Sequence, residues 1–331
     1  MGYFVSVVIP VYNAASTFDE CLNSIFKSEY KDFEVIVVDD ASTDDSMDIV
    51  KNYPCQTVNL TKNAGAANAR NQGAKKAKGE ILFFTDSDCV ILPRSISNIV
   101  EIFEKDEDLA AIIGSYTLRT PVNNFITTFH NLRHHYTHQT SRQEAMTFWT
   151  GCGAIKKKIF DLIGGFDIEF KAATIEDIEL GYRLSSKGYK IQLNKNVMVT
   201  HLKKYNFVKL IRTDVMNRAI PWTKLMLESK TFRSDLNTTK LNGVAMIMVY
   251  GILLLISLAF FSWKFLIPIP FMFAVFAMIH FVFYKWVYKN FGLKICLGVV
   301  MMSPLYFIYS GVGLMGGIAA FLKGKLINKK K

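Results

Sequence analysis

The chain reads as an α/β fold, a mostly parallel sheet flanked by helices, followed by a C-terminal set of transmembrane helices. Three observations predict this. Short β-branched strands alternate with helical stretches over the first two hundred residues. Those strands are apolar almost throughout, as strands are when both faces of a sheet are covered. After Asp235 the 331-residue chain contains no acid and carries uncharged runs of twenty residues or more.

The elements follow in order. Residues 4–9 form an apolar first strand ended by Pro10. Residues 16–27 place Phe18, Cys21, Leu22 and Ile25 at helical spacing behind a Ser16 cap. Residues 33–38 are a second strand, ended by Asp39-Asp40. Ser42-Thr43-Asp44-Asp45 resembles a capping box and opens a helix to about Asn52. A short strand at 57–60, an alanine-rich helix at 64–78 and a strand at 80–85 complete the alternation. In such sheets ligands bind beyond the carboxyl ends of the strands. Pro10 to Asn13, Asp39-Asp40 and Asp86 to Asp88 all lie there, so three polar clusters converge on one rim.

Asp86 and Asp88 stand two apart at a strand end and so share one face. Two hard oxygen ligands suit Mg²⁺ or Mn²⁺ with a diphosphate as co-ligand. An isolated D-x-D is more often a cap or a turn. The flanking pairs Asp39-Asp40 and Glu176-Asp177 favour a metal-bound nucleotide instead. His130, His134 and His138 share a helical face by their spacing, with His135 beside them. No carboxylate partner and no H-E-x-x-H pattern accompany them, so a polar helix over the site mouth is preferred to a zinc site.

The net charge is +11, and residues 236–331, with ten lysines and no arginine or acid, carry +10 of it. The front domain is nearly neutral, which argues against a nucleic-acid partner. Residues 243–262, 265–284 and 295–322 are uncharged, and each is long enough to cross ~30 Å of hydrocarbon. Tyr250, Trp263, Tyr284, Trp286 and Tyr288 lie in or near the span ends. Lys285, Lys289 and Lys294 place their loop in the cytoplasm, and the front domain with it. Lys323, Lys325 and the lysines at 329–331 pull the tail to the same side, so two to four crossings stay open. Gly311, Gly313, Gly316 and Gly317 either bend the third segment or pack it closely. Residues 207–227 interleave apolar and basic side chains, as an interfacial helix, or two broken at Pro221, would. The expected divisions are 1–204, 205–235 and 236–331. Five scattered cysteines fit reduced cytosolic thiols. The start has no basic segment of a secretory signal, and the formal myristoylation match at Gly2 yields to the first strand.

Residues 4–205 resemble glycosyltransferase family 2, with the GT-A fold. The resemblance rests on Val7-Val8-Ile9-Pro10-Val11-Tyr12-Asn13, on Val37-Val38-Asp39-Asp40-Ala41-Ser42-Thr43-Asp44, and on Asn63-Ala64-Gly65 with Ala69-Arg70-Asn71. Asp86-Ser87-Asp88, Gly164-Gly165-Phe166-Asp167, Glu176-Asp177, Arg183 and Gly188-Tyr189 complete it. It implies inverting transfer of a single sugar from a UDP- or GDP-sugar to a membrane lipid, polyprenyl phosphate or lipid-linked glycan. It also implies a bacterial or archaeal integral membrane protein with a cytoplasmic catalytic domain. By the same resemblance Pro10, Val11, Tyr12 and Asn63 line the nucleotide pocket and Asp40 accepts from the base. Arg70 sits near the nucleotide, Asp86 meets ribose or metal, and Asp88 holds the metal, with His201 as a further ligand. Asp177 is the general base. Glu176 is structural or, with Arg218 and Trp222, reaches toward diphosphate or acceptor. The Q-x-x-R-W signature of processive members is absent, its nearest string being Asn217-Arg218-Ala219-Ile220-Pro221-Trp222, which disfavours a polysaccharide synthase. A sugar nucleotidyltransferase would need a glycine-rich first loop. A silent membrane scaffold would not need to keep Asp40, Asp88 and Asp177.

Overall fold

The computed structural model describes residues 2–170, 174–230 and 239–328. The chain divides into two compact units, Met1–Tyr205 and Asn206–Lys331.

The first unit opens with β1 (Val5–Val11), α1 (Ala15–Phe26), β2 (Phe33–Asp39), α2 (Ser46–Val50), β3 (Gln56–Asn59), α3 (Ala66–Lys76) and β4 (Ile81–Thr85). It continues through β5 (Cys89–Ile91), α4 (Ser95–Lys105), β6 (Leu109–Tyr116), α5 (Phe125–Thr140) and β7 (Glu144–Ala145). It ends with β8 (Cys152–Lys156), α6 (Lys157–Ile163), α7 (Glu176–Ser186) and β9 (Lys190–His201). Among the described residues nine strands form one sheet, ordered β3-β2-β1-β4-β8-β6-β9-β5, with β7 on β9. The β3-β2-β1-β4 half is parallel. β8 then runs antiparallel between β4 and β6, and β9 is parallel to β6. Two reversals restore the direction. The carboxyl ends of β1, β2, β4, β6 and β9 and the amino end of β8 therefore share one edge.

Val5, Val7, Ile9, Phe83 and Ile112 pack with Phe18, Leu22, Ile25 and Phe103 in the main core. On the opposite face α3 lies close, because Gly73 leaves no side chain between the helix and Val8.

Four expectations for the first unit need correction. β1 does not stop at Pro10 but pairs through to Val11. Beyond Val8 it pairs with β2 alone, so the missing N–H breaks no ladder on the other side. Ser16 does not cap α1, which begins at Ala15, and Ser42 to Asp45 do not form a capping box. Those side chains tie two loops together instead. Ala15 N–H donates to Asp44 Oδ2 (3.0 Å), Ala14 N–H to Ser46 Oγ (2.8 Å) and Asn13 N–H to Ser42 Oγ (3.1 Å). Nor is α5 a polar cover, since His130, His138 and Phe129 are buried in it.

In the second unit α8 (Phe207–Arg212), a π-helical stretch Thr213–Ala219 and α9 (Ile220–Ser229) follow one another without a break. Of the two alternatives at Pro221, the unbroken one is observed. The wider π turn includes Asn217, whose carbonyl an α-helix would press against the Pro221 ring. Next come α10 (Lys240–Leu258), a 3₁₀ turn Trp263–Leu266, α11 (Ile269–Ile279) and α12 (Phe281–Asn328), the last interrupted at Gly292 (φ 78°). Lys240–Leu258 and Phe281–Leu326 are long and apolar enough to cross a membrane. The span expected at 265–284 is not one helix, because Pro268 and Pro270 delay the start of α11 and the chain breaks again at His280. The glycine stripe packs rather than bends. A Cβ at Gly313 or Gly317 would collide with Ala219 or Thr223. Residues 231–235 of the expected interfacial stretch, Met1 and the lysines at 329–331 lie outside the described residues.

Candidate active site

The shared sheet edge carries nearly all the residues singled out in the first unit. At the end of β1, Pro10 is half-buried, Val11 is turned into the core and Tyr12 is 51% exposed. Asn13 takes a left-handed backbone (φ 50°) and accepts from Thr43 N–H at 2.8 Å. At the end of β2 Asp40 is 4% exposed. Its two oxygens accept from Ala64 N–H (2.8 Å) and Gly65 N–H (2.9 Å), just ahead of α3. Asp40 thus anchors the entry to that helix, with exposed Asn63 beside it.

The D-x-D segment differs from its expected form. β4 stops at Thr85, and Asp86 to Cys89 turn, closed by Cys89 N–H on the Asp86 carbonyl (3.0 Å). The two carboxylates therefore do not share a strand face, and they find different partners. Asp86 Oδ1 accepts from Arg70 Nη2 at 2.7 Å. Asp88 Oδ1 faces His201 Nε2 at 3.5 Å. Pairing of β5 with β9 brings this about by setting Cys89 opposite His201.

Asp88, Cys89 and His201 offer ligand atoms that all lie within 4.8 Å of one another. Burial and the adjacent acids push the Cys89 thiol well up, so it stays protonated. Burial alone would raise Asp88, but facing His201 and nearby Lys203 outweigh it and hold that carboxyl at about 2. A carboxylate and an imidazole on one side of the site make a donor set that fits a divalent cation such as Mn²⁺.

Arg70 crosses from this turn to α7. It is 3% exposed, and its Nη1 donates to Glu176 Oε1 at 2.8 Å, across 106 residues of sequence. Glu176 is equally buried, and its other oxygen accepts from Thr174 N–H. Both terminal nitrogens of Arg70 thus donate to protein acids. Asn71, the next residue of α3, clamps Phe166 at both its N–H (2.9 Å) and its carbonyl (2.8 Å). Arg183 donates to the Ile163 and Gly165 carbonyls. The glycine-rich loop is fastened from two sides, and Arg70 lies over the Phe166 ring at 5.8 Å.

Asp177 opens α7 beside Glu176. Its Oδ2 accepts from Thr150 N–H (3.2 Å) and Oγ1 (3.3 Å), at the start of β8. Burial raises this carboxyl, as does the Glu176 charge, while Arg70 and the Thr150 N–H oppose them. The outcome is a group pushed up to about 6. Thr150 and the pairing of Arg70 with Glu176 were not foreseen, and no local pattern marks either. Arg218 and Trp222 belong to the second unit, where Arg218 pairs with Asp214 at 3.7 Å.

The glycosyl transferase family 2 model matches residues 6–164. Glycosyltransferase GlyG of Streptococcus pneumoniae is 36% identical over 122 residues, which cover 35% of this chain and 40% of GlyG. The chain thus spans about two fifths of that relative's length. WfaP of Escherichia coli is a UDP-Glc:alpha-D-GlcNAc-diphosphoundecaprenol beta-1,3-glucosyltransferase. It is 30% identical over 204 residues, 60% of this chain and 76% of WfaP. Among solved structures, mannosyltransferase PcManGT of Pyrobaculum calidifontis, in complex with GDP-Man and Mn²⁺, has a TM-score of 0.59 at 18% identity. The match covers 95% of this chain and 88% of PcManGT and shows the shared GT-A fold. The chain belongs to glycosyl transferase family 2.

Proposed function

We propose that this protein is an inverting glycosyltransferase that moves a single sugar from a UDP- or GDP-sugar to a membrane-associated acceptor, a lipid-linked glycan, polyprenyl phosphate or lipid. The observation that carries the reading is the division of labour on one sheet edge. Asp88 and His201 offer a cation site, and Asp177 offers a carboxylate raised toward neutrality. The acceptor hydroxyl gives its proton to Asp177 as its oxygen bonds to the anomeric carbon. The bond from that carbon to the diphosphate breaks on the opposite side, which inverts the configuration. Mg²⁺ or Mn²⁺ at Asp88 and His201 would neutralise the charge of the departing diphosphate. Tyr12, with half of its surface open, supplies a flat face for the base at the end of β1.

WfaP's printed substrate is diphosphoundecaprenol-linked, and PcManGT is complexed with GDP-Man and Mn²⁺; both support the acceptor and donor classes. The apolar helices α10 and α12 support membrane anchoring, with the first unit on the cytoplasmic side as the lysine pattern suggests. A donor screen on the full chain in lipid tests the reading. We expect release of UDP or GDP that requires both Mn²⁺ and a polyprenyl phosphate or lipid-linked glycan. Release that ignores the metal, or transfer with retained configuration, would overturn it.

A further inference from the structure

We infer that Tyr116 is a positioning residue for His201, and that the histidine-rich face of α5 braces Tyr116 in that role. The inference rests on the reading of Asp88 and His201 as cation ligands and assigns the residues that aim the imidazole.

The Tyr116 and His201 rings are stacked, with centroids 4.7 Å apart and planes within 7° of parallel. Tyr116 ends β6 and is 3% exposed. Its ring is held in turn. Trp149 meets it edge-on at 4.7 Å and 88°, and His134 lies against it at 5.0 Å. α5 also grips the strand beneath. His138 Nδ1 lies 2.8 Å from the Gly114 carbonyl and His135 Nδ1 lies 2.7 Å from the Tyr116 carbonyl. Burial lowers both histidines, His138 to about 4, so each is a neutral ring donating its Nδ1–H to β6. His134 and His138 are themselves in ring contact, and Trp149 packs edge-on against His138.

This arrangement accounts for α5 histidines that belong to no candidate metal group among the described residues. The contact from His201 Nε2 to Asp88 is 3.5 Å, too long to fix the imidazole by itself. The His201 backbone is tied through Thr120 Oγ1 to its carbonyl (2.8 Å), and that bond leaves the ring free to turn. The stacked phenol restricts that turning to its own plane. A ligand oriented before the cation arrives loses less freedom on binding.

The test measures Mn²⁺ alone binding to the full chain in detergent, by electron paramagnetic resonance, together with the nitrogen coupling of the His201 imidazole to bound Mn²⁺. Tyr116→Leu should weaken Mn²⁺ binding about tenfold and reduce the coupling. Tyr116→Phe keeps the stack and should stay within about twofold of the parent. His134→Leu leaves both stacked rings in place and removes a ring that backs them. It should give a smaller loss in the same direction, and it decides the matter if Tyr116→Leu does not fold. Unchanged Mn²⁺ affinity in both leucine variants overturns the inference. His201→Ala separates the two layers of argument. If it leaves Mn²⁺ binding intact, the cation reading itself falls; if it abolishes binding while the leucine variants do not matter, only the positioning role falls.

Discussion

The turn after β4 carries Asp86 and Asp88, α7 opens with Glu176 and Asp177, and the protein treats the two pairs alike in one respect and oppositely in another. In each pair one acid is given to Arg70, Asp86 at 2.7 Å and Glu176 at 2.8 Å. The other is the acid to which the proposed function assigns chemistry. Asp88 then meets His201 and is held at about 2, while Asp177 lies buried beside Glu176 and is pushed up to about 6. One carboxylate stays charged at any working pH, as the proposed cation ligand must. The other titrates where a base is useful. Role follows from what each side chain faces, since both pairs begin as the same chemical group.

The largest effect should come from removing the raised carboxyl. Asp177→Asn keeps the shape and should lower kcat by about 10²–10⁴ while nucleoside diphosphate affinity changes little, because in the proposed function Asp177 serves the proton and not the donor. Isothermal titration beside steady-state kinetics checks this. Equal loss of binding and turnover would move Asp177 to the donor site.

Arg70 is next. Arg70→Met leaves Glu176 buried with an uncompensated charge and should destabilise the protein by about 3–5 kcal/mol. Arg94 pairs with Glu29 at 3.6 Å, and the two side chains are 62% and 59% exposed. Arg94→Met should therefore cost about 0.5 kcal/mol or less. Urea unfolding of the two variants compares a buried brace with a surface pair. Similar losses would deny Arg70 its structural weight.

A third effect lies in the pH dependence of stability. Asp177 has a folded pKa of about 6 against 3.8 in the unfolded chain. Between those values the folded state keeps a proton that the unfolded state has released. Stability therefore falls as pH rises through that window, by on the order of 2–3 kcal/mol in all. About one unit above pH 6 the loss is complete. The difference in unfolding free energy between the parent and Asp177→Asn should change from about pH 4 until that loss is complete and be flat above it.

Much of the parallel half of the sheet was legible because burial on both faces leaves unbroken apolar runs, as at Val5–Val11 and Phe33–Asp39. The rim was legible for the same reason, since acids that interrupt such runs fall at strand ends. The mixed half was not. β8 is five residues, two of them Cys and Gly, and its pairing with Thr85 is set by the sheet order rather than by a local pattern. Two assignments went astray where one residue type has two uses. Histidine on α5 counts as polar in a sequence, yet His138 is neutral and buried. Ser42 and Asp44 have cap chemistry, yet they spend it on the β1–α1 loop. The partnership of Arg70 and Glu176 spans 106 positions and leaves no local trace.

The smallest effect is also the most discriminating, because its sign is set by the geometry. Glu176→Gln keeps one acceptor oxygen, for Arg70, gives up the one that Thr174 N–H uses, and removes a negative charge next to Asp177. It also leaves Arg70 less neutralised, and both changes favour the ionised form of Asp177. The acid limb of kcat/KM, expected near pH 6, should move down by on the order of half a unit to one unit. Any Arg70→Met protein that folds should show the reverse, since the nearby positive charge is gone. A profile that moves the same way in both variants would mean that the limb belongs to another group, and the contrast between the two acid pairs would then fail at Asp177 while surviving at Asp88.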